Sequence, residues 1–397
     1  MNSTYLQVLD SFTSRYKDKP LVVRSPGRIN LIGEHTDYNE GFVMPAAIHY
    51  DTIFAISETA ASMAEIYSLS FDEVVRVDVN NPEKVVTPKW ANYLFGVMKQ
   101  FLMQGYTLKP FRCVFGGDIP MGAGLSSSAS MECGFAFALN ALHQFNVPRE
   151  KLMFMAQWAE HHYAGVKCGI MDQFASMMGR EDHVMVLDCR SMEYDYSPIK
   201  LPDHTIVLCD SKVKHALVDS EYNTRRNECE QGVAILKKHY PDIKSLRDAT
   251  VEMLNNHRDE MRGKVYDRCL YIVEEIQRVR EASEDLKANR LEAFGKKMYD
   301  THDGLSKRYE VSCKELDFLV NEARKFGSIA GSRMMGGGFG GCTINLVPTM
   351  EVDRFIATVS IAFRAAMAHE MAAYIVHIKD GTNIIHDSGE NITLARA

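Results

Sequence analysis

Apolar and polar positions over the first sixty residues alternate in short runs rather than in helical stripes. Leu21-Val22-Val23, Phe42-Val43-Met44 and Thr52-Ile53-Phe54-Ala55-Ile56 are separated by Gly- and Asn-containing turns. That pattern predicts a half-buried antiparallel sheet. The texture turns helical from Trp90 to Met103, returns to a strand at Phe111 to Phe115, and becomes helical again after a Gly/Ser run at 122 to 128. From Glu150 to Tyr163 a further helix places Leu152, Met155, Ala156, Ala159 and Tyr163 on one face. Beyond about residue 200 a strand over Thr205 to Cys209 leads into charged helices spanning 219 to 325, then a glycine cluster, then a strand over Thr343 to Val347. The heptads of Val265 to Lys287 do not persist, so these read as solvated amphipathic helices rather than a coiled coil. The expectation is an α+β chain of two domains, 1–200 and 201–397.

Length supports that division, because 397 residues exceed one ordinary hydrophobic core. With 46% apolar and 24% charged residues the chain is neither disordered nor fibrous. A net charge of −7 argues against a chain-wide nucleic-acid or anionic-membrane surface, while a local basic pocket could still bind phosphates. Nine scattered cysteines with no Cys-x-x-Cys pair predict reduced thiols rather than a disulfide framework or a zinc site. Met1 to Phe12 is polar from its second residue, and no apolar run approaches about 18 residues. Cytoplasmic residence is the expectation.

Three glycine-bearing segments carry candidate chemistry. In the first, Gly116 to Ser130, a strand ends and a helix opens around Gly122, Gly124, Leu125, Ser126, Ser127, Ser128 and Ala129. Unpaired amide N–H groups, the positive end of the helix dipole and three hydroxyls there suit a polyphosphate better than a simple cap. No Gly-Lys-Ser/Thr closes the loop, so it is not a P-loop, and a magnesium ion would need other ligands: Ser128, with Glu160 from the polar side of the neighbouring helix. The second, Gly331 to Cys342, spaces Gly336, Gly338 and Gly341 like a dinucleotide fingerprint but runs into a strand instead of a helix. So many adjacent glycines suggest a loop pressed against a ligand or another backbone. The third, Ser25 to Gly41, packs Arg28, Glu34, His35 and Asp37 into ten residues. Carboxylates that accept from hydroxyls fit an uncharged polyhydroxylated ligand such as a sugar, and a metal pair of His35 and Asp37 is the weaker reading.

These segments together resemble the galactose/homoserine/mevalonate/phosphomevalonate (GHMP) kinase family, and within it the galactokinases. Arg28 to Gly41 resembles the galactokinase signature almost letter for letter, Gly116 to Glu132 the nucleotide loop, Cys168-Gly169-Ile170-Met171-Asp172-Gln173 the catalytic-aspartate motif, and Gly331 to Cys342 the third glycine motif. Trp90-Ala91-Asn92-Tyr93, Ser220-Glu221-Tyr222 and Tyr309-Glu310-Val311-Ser312 also look like galactokinase segments. Ser332, Met335 and His215 depart from the pattern, where Ala, Thr and Arg are expected.

The resemblance implies two α/β domains with an active site in the cleft between them. It also implies transfer of the ATP γ-phosphoryl group to the anomeric hydroxyl of galactose, by a monomer needing neither nucleic acid nor membrane. Residue by residue, it implies that Arg28, Glu34, His35, Asp37, Gly169, Asp172 and Tyr222 surround the sugar. Ser128 and Glu160 would hold magnesium, the Gly122 to Ala129 loop would cradle ATP, and Asp172 with Arg28 beside it would be catalytic. Preference for N-acetylgalactosamine or arabinose, or a non-catalytic sugar and nucleotide sensor, are the competing readings.

Overall fold

Residues 3–199, 201–213 and 218–385 are described in the structure, a computed structural model; His215 lies outside them. The strands are β1 (Leu21–Asn30), β2 (Phe42–Val43), β3 (Pro45–Glu58), β4 (Ala64–Ser68), β5 (Glu73–Val77), β6 (Phe111–Gly117), β7 (His183–Asp188), β8 (Tyr194–Pro198), β9 (His204–Asp210), β10 (Gly331–Met334), β11 (Cys342–Pro348), β12 (Ala372–Val376) and β13 (Asn383–Ile385). The helices are α1 (Ser3–Arg15), α2 (Ala91–Met103), α3 (Ser127–Leu142), α4 (Arg149–Ala159), α5 (Met171–Met178), α6 (Val218–Leu236), α7 (Val251–Asn256), α8 (Val265–Lys287), α9 (Leu291–Lys307), α10 (Lys314–Phe326) and α11 (Val352–Met367).

The first sheet runs β13-β1-β3-β6-β4-β5, antiparallel except for the parallel pair β4 and β6. Its strands alternate between two apolar faces rather than an apolar and a polar one. Val22, Ile53, Ala55 and Val114 meet Val8 and Phe12 of α1, and Val23, Phe54, Ile56 and Cys113 meet the core shared with Leu94, Phe135 and Phe174 of α2, α3 and α5. The half-buried sheet expected from the sequence is therefore corrected: helices cover both faces, so both sets of alternating positions are apolar.

The second sheet, β10-β11-β9-β12, is antiparallel throughout. Val207, Cys209 and Val347 face Leu319 of α10 and Phe355 and Phe363 of α11. The alternate residues Ile206, Leu208, Ile344 and Leu346 face Ile29, Leu31, Met44, Ile119 and Leu125 of the first half, together with Phe294 and Met298 of α9. A continuous apolar seam thus joins the two halves and fixes their mutual orientation. The chain passes between halves after β8, and β13 returns to pair with β1. A small third sheet, β2-β7-β8, lies beside them.

Two local features aim the site. Register slips between Pro26 and Arg28 where β1 pairs with β3, a bulge that re-aims the Arg28 side chain. Gly27 is needed at that bulge because a Cβ there would lie 2.7 Å from the Leu125 carbonyl oxygen. The strand and the glycine loop before α3 accordingly touch backbone to backbone, with Arg28 N–H donating to Leu125 O at 3.1 Å.

Candidate active site

Arg28 lies near the end of the touching strand β1, with its guanidinium almost buried. Its Nε donates to Asp172 Oδ1 at 2.8 Å, its Nη2 to Asp172 Oδ2 at 3.1 Å, and its Nη1 to the Gly124 carbonyl at 2.6 Å. Asp172 is the second residue of α5, near the positive end of the helix dipole, and 26% of its side chain stays exposed. Ser126 Oγ donates to Asp172 Oδ2 at 2.5 Å. One cation therefore ties together the signature strand, the aspartate motif and the nucleotide-type loop.

That loop keeps its amides available. Ser126 precedes α3 with φ 58°, in the left-handed region, and its side chain does not cap the helix. The first backbone bond of the helix runs from Ser130 N–H to Ser126 O. Gly122 and Gly124 also adopt positive φ (78° and 73°). Across from them the second glycine run presses on backbone, as expected: a Cβ on Gly338 would lie 2.2 Å from Val311 O, and one on Gly336 would lie 3.5 Å from Gly124 O. Ser332 and Met335, the two described departures from the family pattern, are buried; Ser332 Oγ bonds Asn345 Oδ1 at 2.7 Å and Met335 joins the seam.

Glu160 requires a correction. It is not on the polar side of a helix but nearly buried: it keeps helical backbone angles after α4 ends at Ala159 and continues the buried face of Leu152, Met153, Ala156 and Ala159, at the start of a π-helical turn over Glu160–Ala164. Ser128 Oγ donates to Glu160 Oε1 at 3.0 Å and Gln173 Nε2 to Oε2 at 2.6 Å. Burial, and then the charge of Asp172, push Glu160 up to about 7. The fully buried Glu132 lies behind it, within 3.5 Å of the same Gln173 amide, and burial together with Glu160 holds it well above the usual carboxylate range. A hydroxyl and a carboxylate side by side are hard oxygen donors of the type a small divalent cation takes. Among the described residues the one three-ligand His/Cys/Asp/Glu cluster is His239, His257 and Glu260, where both imidazoles bond Glu260 Oε1 at 2.8 and 2.9 Å; His35 and Asp37 form none.

The remaining signature residues line one side of the cleft. Asp37 begins a short 3₁₀ turn, and its Oδ2 leaves no room for a side chain at Gly169, where a Cβ would lie 1.8 Å away. Burial, then the charge of Asp172, raise Asp37 to about 7. His35, at φ 64°, is buried among Tyr38, Tyr222 and Tyr309, ring centroids 4.8 to 5.8 Å away, and its Nδ1 lies 2.7 Å from Tyr38 Oη. Burial lowers His35 to about 3, so it is neutral. Tyr222, on α6, lies against Gly337. Glu34 is buried, held by Arg333 and Gly336 from the other half.

The structure thus links Arg28, Asp172, Ser126 and Gly124 directly, Ser128 with Glu160, Asp37 with Gly169, His35 with Tyr222, and Glu34 with Gly336 of the other half. Sequence reasoning missed Arg333, Gln173, Glu132 and the inward role of Tyr38 and Tyr309. Arg333 and Gln173 stand inside the motifs already singled out, and a charged residue flanked by glycines and apolar residues was the available signal.

Comparison with known proteins bears on this geometry. The galactokinase galactose-binding signature matches residues 10–58, the GHMP kinase N-terminal domain residues 92–180 and the GHMP kinase C-terminal domain residues 282–365. A galactokinase of Roseiflexus sp. is 35% identical over 96% of this chain and 97% of its own, and one of Clostridium perfringens is 39% identical over 90% and 93%. The crystal structure of Lactococcus lactis galactokinase complexed with galactose superposes with a TM-score of 0.92 at 33% identity, over 96% of this chain and 99% of that one. The Methanococcus jannaschii mevalonate kinase shares the fold, with a TM-score of 0.64 at 17% identity over 92% of this chain and all of that one.

Proposed function

Since the chain belongs to the galactokinase family of GHMP kinases, we propose that its cleft performs the family's reaction through the residues just described. The reaction is transfer of the ATP γ-phosphoryl group to the anomeric hydroxyl of D-galactose, giving galactose 1-phosphate and ADP.

Arg28, Asp37, Gly169, Asp172, Tyr222 and the free edge of Glu34 surround galactose, with His35 as a neutral wall behind them. Gly122 to Ala129 cradle the ATP phosphates on the uncapped amino end of α3. Ser128 and Glu160 hold magnesium, which when bound neutralises charge on the phosphates. The observation that carries this reading is the Arg28 fork, which binds Asp172 with two N–H groups and the phosphate-type loop with a third.

Asp172 accepts from Arg28 and Ser126, which fix its carboxylate, so its work is mainly orientation of the sugar hydroxyl. In a loose phosphoryl-transfer transition state the hydroxyl loses its proton late, so a well-placed carboxylate suffices. Arg28 then offsets the charge that develops between Asp172 and the loop. All nine cysteines are unpaired, which supports a reducing, cytoplasmic setting, and both walls of the cleft come from one chain, which supports a monomer. No described helix is long and apolar enough to cross a membrane.

The test is ADP release from ATP with galactose, N-acetylgalactosamine, arabinose or glucose as acceptor. The expected result is fast release with galactose. Release only with another sugar would redirect the specificity, and binding with no release would make the protein a sensor.

A further inference from the structure

Arg333 is completely buried on β10, and its side chain crosses the seam between the halves. Each of its five N–H groups has an acceptor. Nε donates to Leu31 O at 2.8 Å, Nη1 to Met334 O at 2.6 Å and to Glu34 Oε1 at 3.0 Å, and Nη2 to Asn30 O and to Glu34 Oε1 at 3.0 Å.

The way the fork meets its carboxylate is unusual. A guanidinium facing a carboxylate commonly engages both oxygens in parallel. Here both Nη atoms close on Oε1 alone, and the Gly336 amide adds a third donor to that oxygen at 2.8 Å. Oε2 accepts no hydrogen bond from any described residue, although Glu34 is only 1% exposed. The carboxylate is therefore divided into one oxygen saturated by the C-terminal half and one left without a hydrogen bond from the described residues, in a group whose charge reaches both Arg28 and Asp37.

We propose that Arg333 is a positioning residue for sugar recognition: it saturates Glu34 Oε1 so that Oε2 is held preoriented for one galactose hydroxyl. The assignment rests on the proposed role of Glu34 in the sugar site. It makes a residue of the C-terminal half part of sugar specificity, with no contact to sugar of its own. Gly336 belongs to the loop that faces Gly124, so the same oxygen also ties the sugar side of the cleft to its nucleotide side. Lysine cannot replace the fork, since three donors on one nitrogen cannot reach Leu31 O, Asn30 O, Met334 O and Glu34 together.

The experiment is calorimetric binding of galactose and of ATP, with steady-state kinetics, on wild-type protein, Arg333→Lys, Glu34→Gln and the double variant Arg333→Met/Glu34→Gln. Arg333→Lys is expected to remain folded and to lose about tenfold or more in galactose affinity, with ATP affinity within about threefold of wild type. A rise in galactose KM larger than the fall in kcat is expected with it. Unchanged galactose affinity, or equal weakening of galactose and ATP, would overturn the proposal and leave the kinase reading intact. Normal galactose binding by Glu34→Gln would remove Glu34 from the sugar site and the proposal with it.

Should Arg333→Lys fail to fold, the double variant removes both buried charges and is expected to fold, to bind ATP and to bind galactose weakly. Wild-type galactose affinity in it would again overturn the proposal. A crystal of the wild-type protein with galactose needs no variant at all. Oε1 is expected on Arg333 and Oε2 on a sugar hydroxyl, and a carboxylate turned away from Arg333 toward the sugar would contradict the inference.

Discussion

Arg28 and Asp172, 144 positions apart in sequence, face each other through two parallel hydrogen bonds of 2.8 and 3.1 Å. Bidentate geometry fixes the plane of the aspartate as well as its position, which a point charge could not do. The third arm of the same guanidinium holds the Gly124 carbonyl, so the aspartate motif and the glycine loop before α3 share one rigid support.

Ser126 Oγ occupies one of the Asp172 oxygens at 2.5 Å and holds a left-handed backbone while doing so. Ser126→Ala keeps the backbone and removes that donor. Turnover is expected to fall about tenfold, with a stability loss of about 1 kcal/mol or less in urea unfolding. Wild-type turnover would mean that the Ser126 contact is incidental.

Galactose affinity is expected to depend on pH through Asp37. Its carboxyl is raised from an ordinary 3.8 to about 7 by burial and by Asp172, with Glu34 adding to the rise and the Tyr38 amide and Arg226 opposing it. A raised carboxyl is protonated below that pH in the free enzyme, and only the ionised form accepts fully from sugar hydroxyls. Affinity is therefore expected to tighten as pH rises toward 7 and to level off above it, with proton release on binding near neutrality. By the same sign, the folded, ligand-free protein keeps a proton that the unfolded chain has lost between about pH 4 and 7, so this group's contribution to stability declines across that window. Calorimetry in buffers of different ionisation enthalpy reads the proton directly, and Asp37→Asn is expected to abolish it.

Gln173 orients Glu160 through a 2.6 Å bond to Oε2. Loss of such an outer partner typically weakens a metal site by about 10–100-fold. Gln173→Ala is expected to raise the magnesium concentration needed for half-maximal ADP release in that range and to weaken manganese binding measured by electron paramagnetic resonance, with galactose binding intact. An unchanged magnesium requirement would take Glu160 out of the metal site.

Much of the site was legible because its members sit inside compact motifs: Arg28 to Asp37 in one run, Gly122 to Ala129 in another, Asp172 in a third. Local pattern could not show partners that only the fold brings together. Arg333 meets Glu34 across 299 positions, and no spacing rule reaches that far. A glutamate at the end of a helix reads as solvated from its residue type, whereas Glu160 continues the buried face of Met153, Ala156 and Ala159, where Ser128 and Gln173 meet its carboxylate. Short runs such as Leu21-Val22-Val23 do not distinguish a strand buried on both faces from one buried on a single face, so pattern alone predicts a one-sided first sheet where helices cover both faces. The return of residues 383–385 to β1 left no composition signal at all.

Asp172→Asn tests the centre of this reading most directly, since it preserves the size of the side chain and removes its charge beside Arg28. Calorimetry on the purified variant should find galactose and ATP bound within about tenfold of wild type, while single-turnover transfer to galactose slows by about a hundredfold to a thousandfold or more. Phosphoryl transfer at the wild-type rate with both substrates bound would contradict the assignment of catalysis to the Arg28 and Asp172 pair.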